Sequence, residues 1–289
     1  MPNLPYTRPQ RMTGGTPDEY QTEGSNPAMS FLDHIEELRW HLIRAGLSVC
    51  VAAIGIFVMG ERVFQAVILA PKEPWFITYS LVCKISDYLC FSPPIFNLET
   101  RQLGEQFFVH LKTSILLGLV VSFPYVFYEF WRFIRPGLYV AERRAVRGIV
   151  LICTGLFYSG VAFGYFVIAP FAISFLAGYT VGAINAPTLA SYVSYMAMFT
   201  LPTGLVFQLP VAIFFLARLG LITAQFMRTY RRHSFVVILV LAAIITPPDM
   251  ITQLLIAVPL YGLFEVSILI AKRVEKKQAL DWESDPDHK

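Results

Sequence analysis

Charge is scarce in this sequence. Asp, Glu, Lys and Arg make up 15% of its 289 residues, where soluble globular chains carry roughly 25%. Hydrophobic residues make up 55%. So little charge argues against a soluble globular protein, and a mean hydropathy of +0.56 excludes a disordered chain. A net charge of +3 leaves no cationic excess for nucleic acid. The 19 prolines and 18 glycines follow no collagen period. Also missing are a Walker A loop, a Gly-rich nucleotide turn, a His-Glu-x-x-His pattern and a recognisable Ser, His and Asp set. ATP-driven or hydrolytic chemistry has no local support, and no enzyme, cofactor or metal is expected. Residues 1–29 lack an apolar core and read as a mobile tail rather than a signal peptide.

A membrane protein remains. Apolar runs at Ile43–Met59, Phe107–Phe127, Gly148–Ala169 and Tyr195–Ala217 each approach the ~20 residues that cross ~30 Å of hydrocarbon. Two shorter runs, Ser234–Ile245 and Ile251–Ala271, flank Thr246-Pro247-Pro248-Asp249, where paired prolines stop one helix and start another. The expectation is an all-α polytopic bundle of six transmembrane helices, the last two short. The fifth run is short enough to be half of a re-entrant hairpin, and two short spans are favoured because a re-entrant backbone needs protein or water around it. Pro170, Pro202, Pro210 and Pro259 are expected to kink or shorten helices and bend the bundle.

Basic residues set the orientation. Of the 23 Lys and Arg residues, all but Arg62, Lys72, Lys84, Arg101 and Lys112 fall in the N-terminal segment, alternate connections and the C-terminal tail. Both termini are therefore expected in the cytoplasm. The core runs from 30 to 272, the first outer loop covers about 60–106, and 273–289 form a charged tail. Cys50 and Cys153 lie in spans. Cys83 and Cys90 share the outer loop; on one straight helix they would be ~10 Å apart, so a disulfide requires a turn between them.

Polar residues that apolar composition does not explain are the candidates for function. Before the first span, Phe31, Leu32, Ile35, Leu38 and Leu42 form one stripe of an amphipathic interfacial helix, with Glu36, Glu37 and Arg39 on its polar face. That face reads either as solvated or as a binding surface. His34, Glu37 and His41 follow no recognised metal-ligand spacing. The second cytoplasmic connection reads Phe133-Ile134-Arg135-Pro136-Gly137-Leu138-Tyr139-Val140-Ala141-Glu142-Arg143-Arg144. Glu142 is there either a local ion-pair partner of its arginines or a carboxylate awaiting a cationic ligand. Gln208 lies mid-span beside Pro210. Glu265 lies roughly 10 Å from the cytoplasmic end at Lys272, so it is expected to face a cavity or partner, or to be protonated. Asp249 reads as an N-cap of the last helix, with Gln253 one turn later.

With Glu-Leu-Arg before the first span, Phe-Ile-Arg-Pro-Gly-Leu-Tyr followed by Glu142-Arg143-Arg144, and Thr-Pro-Pro-Asp between the last two runs, the chain resembles the TatC family of twin-arginine protein translocase subunits over about Met29–Lys277. The resemblance implies a six-helix, glove-like receptor in the inner membrane. Such a receptor binds the twin-arginine signal peptides of folded precursors, recruits small single-span subunits of the TatA/TatB type into a hetero-oligomer, and uses the proton-motive force. It implies that Glu37 and Glu142 contact the arginine pair, with Arg39, Phe133, Arg143 and Arg144 beside them. Pro71, Asp249 and Gln253 match outer positions. Gln208 stands where many relatives have Glu, which leaves hydrogen bonding to a partner helix but removes titration. Two rivals are an ion-coupled secondary transporter, suggested by Glu265, Gln208 and the intramembrane prolines, and a scaffold that gathers partner helices. Transporters of that class show matching halves, and no convincing repeat is present.

Overall fold

The computed structural model describes residues 31–85, 96–134, 146–182, 185–245 and 250–283. Among the described residues no strand occurs, and an isolated parallel bridge joins Glu99 to Thr188. The first apolar run forms α1 (Phe31–Val58). It is followed by a short α2 (Gly60–Val63), a π-helical turn at Phe64–Ile68, a 3-10 turn at Ala70–Lys72 and α3 (Ile77–Ile85). The second run is α4 (Glu105–Ile134), uninterrupted despite Pro124.

The third apolar stretch is continuous but not uniform. α5 (Val146–Phe163) passes through a π-helical turn at Gly164–Ile168 into α6 (Ala169–Gly178). Pro170 thereby falls in the first turn of α6, where its missing N–H costs little. The fourth divides into α7 (Leu189–Val206) and α8 (Leu209–Arg218) at Phe207 and Gln208, with Pro210 in the first turn of α8. Pro202 and Pro259 instead lie inside α7 and the last helix.

After a short α9 (Ala224–Thr229) come α10 (Arg231–Ile245) and α11 (Met250–Glu283). Five stretches are long and apolar enough to cross a bilayer: Ile35–Val58, Glu105–Ile134, Gly148–Gly178, Leu189–Arg218 and Thr252–Gln278. The 15 residues of α10 rise ~22 Å, less than the hydrocarbon core. α11, at 34 residues, is longer than the sequence suggested, which corrects the expectation that the last two helices are both short. Hydropathy ends at Lys272, whereas the Ala, Lys, Glu, Gln and Leu residues that follow are strong helix formers and carry the helix on.

α1 lies along α4, α5 against α7, and α8 and α10 against α11. Between apolar helices in lipid, close packing and not water exclusion provides the attraction, so small residues matter at the seams. A Cβ on Gly118 of α4 would stand 2.8 Å from the backbone nitrogen of Ala53 on α1, so these two backbones nearly touch. At the centre Phe123 stacks on Phe157 with ring centroids 3.6 Å apart. Phe157, Phe199, Ile168, Ile256, Leu260 and Ile268 are fully buried. By contrast only 6% of the residues in the apolar window of α1 are buried within the chain, so the side of α1 away from α4 is left to lipid or another helix.

Candidate functional site

The seam between α1 and α4 ends in a polar cluster. His41, one turn along α1 from Glu37, is 6% exposed, and Glu129 of α4 is 2% exposed. His41 Nδ1 lies 2.5 Å from Glu129 Oε2, and Nε2 lies 3.9 Å from Glu37 Oε1. The imidazole thus stands between two carboxylates from two helices. Its ring meets the edge of Phe133, centroids 6.3 Å apart. Beneath them Trp131 is buried against Phe215 of α8. Burying Glu129 among apolar neighbours is costly without a partner, and His41 is that partner. Glu37 is only half-buried, and Glu36 and Arg39 are exposed. Phe133 is the residue before the end of α4 at Ile134, from which segment 135–145 departs. Glu142, Arg143 and Arg144 lie outside the described residues.

The other sequence-predicted residues are dispersed. Glu265 Oε2 lies 2.6 Å from an Arg231 guanidinium nitrogen, an ion pair across α10 and α11. The sequence assigned Arg231 to a loop, but α10 begins with it and brings its side chain to the acid. Gln208, at the α7–α8 break, donates from Nε2 to the Cys153 carbonyl at 3.0 Å. Its buried Oε1 has no partner among the described residues. Gln253 donates to the Leu239 carbonyl at 3.1 Å, stapling α11 to α10. Pro71 is buried in the 3-10 turn, and its carbonyl accepts the Tyr79 hydroxyl at 2.7 Å. Burial pushes the Tyr79 phenol above its ordinary value. Cys83 is disulfide-bonded, whereas Cys50 and Cys153 are free thiols. Asp249 and Cys90 lie outside the described residues.

Sequence reasoning missed Glu129 and gave His41 no partner. A signal was present: Glu129 is an acid enclosed by Tyr, Phe and Trp at the end of an apolar run, the criterion that singled out Glu265. Also missed was Glu105, at the other end of α4. Its carboxylate accepts the backbone N–H groups of Arg101 at 2.8 Å, Gln102 at 3.3 Å and Ala190 at 3.1 Å, tying the segment before α4 to the start of α7.

Chemically, the α1–α4 end offers one accessible carboxylate backed by a buried imidazole and a second, buried carboxylate. A guanidinium presents a planar fork that such a carboxylate accepts in bidentate fashion. The fold and this site define a multi-pass, all-helical membrane protein with an acidic polar cluster at one end of its bundle. A family model described as Sec-independent protein translocase protein (TatC) matches residues 33–259. The chain is 38% identical over 261 residues to the Sec-independent protein translocase protein TatC of Blattabacterium sp. subsp. Periplaneta americana, covering 86% of this chain and 97% of that one. It is 35% identical to the TatC of Desulforapulum autotrophicum, covering 88% of each. A crystal structure of the twin arginine translocase receptor TatC superposes with a TM-score of 0.63 at 29% identity, covering 84% of this chain and 99% of that one. The chain belongs to the TatC family. It is accordingly a component of a protein translocase, a transport protein and not an enzyme.

Proposed function

We propose that this protein is a receptor and translocase core that binds twin-arginine signal peptides of folded precursors at the cytoplasmic face of the inner membrane, through the carboxylates of Glu37 and Glu142. Six helices cross the bilayer with both termini in the cytoplasm, α10 being the short fifth span, and the bundle is bent into a glove. Small single-span subunits of the TatA/TatB type join it in a hetero-oligomer, and the proton-motive force drives export. The observation that carries the reading is the half-buried Glu37 carboxylate at the α1–α4 seam, beside the helix end that leads to Glu142. Arg39, Phe133, Arg143 and Arg144 flank the arginine pair. Two acids from separate segments can read two arginines, which one acid cannot. Gln208, which hydrogen-bonds but cannot titrate, serves towards a partner's transmembrane helix as a polar contact and not as a charge. An ion-coupled transporter is disfavoured because Glu265 already neutralises Arg231 and the Gln208 amide cannot take up or release a proton.

Photocrosslinkers at the flanking positions 39 and 133, which leave both carboxylates in place, test the reading with an Arg-Arg peptide and, separately, its Lys-Lys version. Both positions are expected to label the first peptide far more than the second, because lysine keeps the charge and loses the fork. Equal labelling of the two, or unchanged binding in a Glu37→Ala, Glu142→Ala double variant, overturns it.

A further inference from the structure

We propose that α3 (Ile77–Ile85), in the segment the sequence assigns to an outer loop, is sunk into one leaflet of the bilayer, where its exposed face and the groove behind it take the acyl chains of membrane lipid. The proposal is independent of Glu37, because it concerns the other half of the bundle and a different ligand.

One hydrogen bond fixes the depth of α3. The Thr78 hydroxyl donates to the carbonyl of Phe166, in the π-helical turn of the third apolar stretch. Pro170, four residues on, has no N–H to offer that carbonyl. A backbone carbonyl in hydrocarbon must find its donor within the protein, and α3 supplies one. Gly148–Gly178 has 31 residues and rises ~45 Å, about 15 Å more than the hydrocarbon core. Phe166 stands twelve residues before Gly178, which is ~18 Å of helix. Even with the whole excess projecting beyond Gly178, Phe166 lies within the hydrocarbon, and Thr78 with it. Phe76 sits at the same level, stacked on Phe166 with ring centroids 5.6 Å apart and edge-on to Tyr165 at 5.5 Å.

The segment is apolar on both sides. Phe76, Thr78 and Tyr79 are buried against the bundle, whereas Trp75, Ile77 and Leu81 are 66%, 55% and 50% exposed. At nine residues α3 rises ~14 Å, about half of what crossing requires, so it stays within one leaflet. Lys72 and Lys84 bound the segment at its two ends. That placement suits lipid, because a lysine stem lies along apolar surface while its ammonium reaches headgroup phosphate. An indole such as Trp75 favours the same boundary. Between the exposed face and the third stretch runs a groove of about 370 Å³, with Ile77, Leu81, Phe166 and Phe171 among its walls. Thr78 borders it too, but its hydroxyl is committed to the Phe166 carbonyl. The walls thus offer hydrocarbon, which gives water no partners and accepts a chain of methylenes.

The experiment uses the full chain reconstituted in phosphatidylcholine vesicles, with and without phosphatidylcholine brominated on its acyl chains, which quenches an indole that it touches. Trp40→Phe with Trp282→Phe leaves Trp75 and Trp131. Trp131 is buried against Phe215, and adding Trp75→Phe to the same background subtracts its share of the emission. Trp75 emission is expected to fall by about half or more in the brominated vesicles and to change little with aqueous iodide, as for an apolar face roughly 5–10 Å below the headgroups. Ile77→Lys with Leu81→Lys, made in the Trp75-reporting background, puts two charges on the face, with circular dichroism reporting that it has folded. There the pattern is expected to reverse, bromolipid quenching being lost and iodide quenching gained. Trp75 quenched by iodide and not by bromolipid lies in water and overturns the proposal. Trp75 quenched by neither is covered by protein, a second copy of this chain included, and overturns it equally. So does bromolipid quenching that persists unchanged in the double-lysine variant, since the face is then not what holds the indole in lipid.

Discussion

Replacing Gly118 with alanine inserts one methyl where α1 and α4 touch. The new Cβ would lie 2.8 Å from Ala53 N, 2.9 Å from Ala53 Cα and 3.0 Å from Ala53 Cβ. Two of these are backbone atoms, so no rotamer change relieves the overlap, and the helices must part by several tenths of an ångström. Overpacking of a tight seam costs roughly 1–3 kcal/mol. The loss is concentrated because α4 is the chief neighbour of α1. Gly55, two residues and so about half a turn beyond Ala53 on α1, is the control: a Cβ there meets nothing within 4 Å. Alanine at an open position inside a helix stabilises by about 0.5–1 kcal/mol through backbone entropy. Two identical substitutions on one helix pair therefore carry opposite signs. Thermal melting of the purified chain in one detergent, followed by circular dichroism, reads the contrast, at about 2–4 °C per kcal/mol for a chain of this class. Gly118→Ala is expected to melt lower than wild type and Gly55→Ala slightly higher. A Gly118→Ala protein that melts at or above the wild-type temperature refutes the backbone contact.

Glu105→Ala frees the N–H groups of Arg101, Gln102 and Ala190. Hydrogen exchange at Arg101 and Ala190 is expected to accelerate about tenfold or more as the segment before α4 opens. Peptide affinity should not change, because Glu105 and Glu129 are separated by ~36 Å of helix. Tyr79 is held neutral above its ordinary value by burial. Its contribution is therefore fully present below the unfolded phenol value of roughly 10 and is lost as pH rises through the higher folded value. Tyr79→Phe loses the bond to the Pro71 carbonyl, about 0.5–1.5 kcal/mol, and melts lower at neutral pH, but the gap to wild type should narrow above pH ~10. A gap that widens there refutes the assignment. Digestion without reductant is expected to join the peptide bearing Cys83 to the one bearing Cys90, while alkylation labels Cys50; Cys83 recovered with a different partner refutes the pairing.

The spans were readable because hydropathy measures directly what a bilayer selects. Four of the apolar runs and the last became the five long helical stretches, and Pro170 and Pro210 stand in the first turns of α6 and α8. Two lengths were not readable. α11 outruns its apolar run because its later residues favour helix regardless of solvent. α10 is bounded by Arg231, a residue that charge counting places in a loop. The site divides in the same way. Glu37 stood out on its own helix face, but its neighbours are set by tertiary contacts. His41 and Glu129 are 88 positions apart, and no periodicity within either helix announces that pair. Arg231 and Glu265, 34 apart, were both noticed and not connected, because one was counted as an orienting charge and the other as a buried acid.

The difference between Glu37 and the other acids is what singles it out. Among the described carboxylates of the long helices that are not fully exposed, Glu129 is bonded to His41 at 2.5 Å, Glu265 to Arg231 at 2.6 Å, Glu275 to the Ala224 N–H at 2.6 Å, and Glu105 to Arg101 N–H at 2.8 Å. Each of these links two segments of the chain and so maintains the fold. Glu37 has only the 3.9 Å approach to an imidazole already engaged elsewhere. A half-buried carboxylate loses part of its hydration, and that loss is recovered only when a donor arrives. Structural acids recover it within the fold, whereas Glu37 has no such donor among the described residues and, on the proposed reading, recovers it from a ligand. For the same reason Glu37→Gln should leave the melting temperature nearly unchanged while weakening the arginine-pair peptide, and Glu129→Gln should do the reverse at neutral pH. Should both substitutions affect both measurements equally, the division between a binding acid and a structural one does not hold.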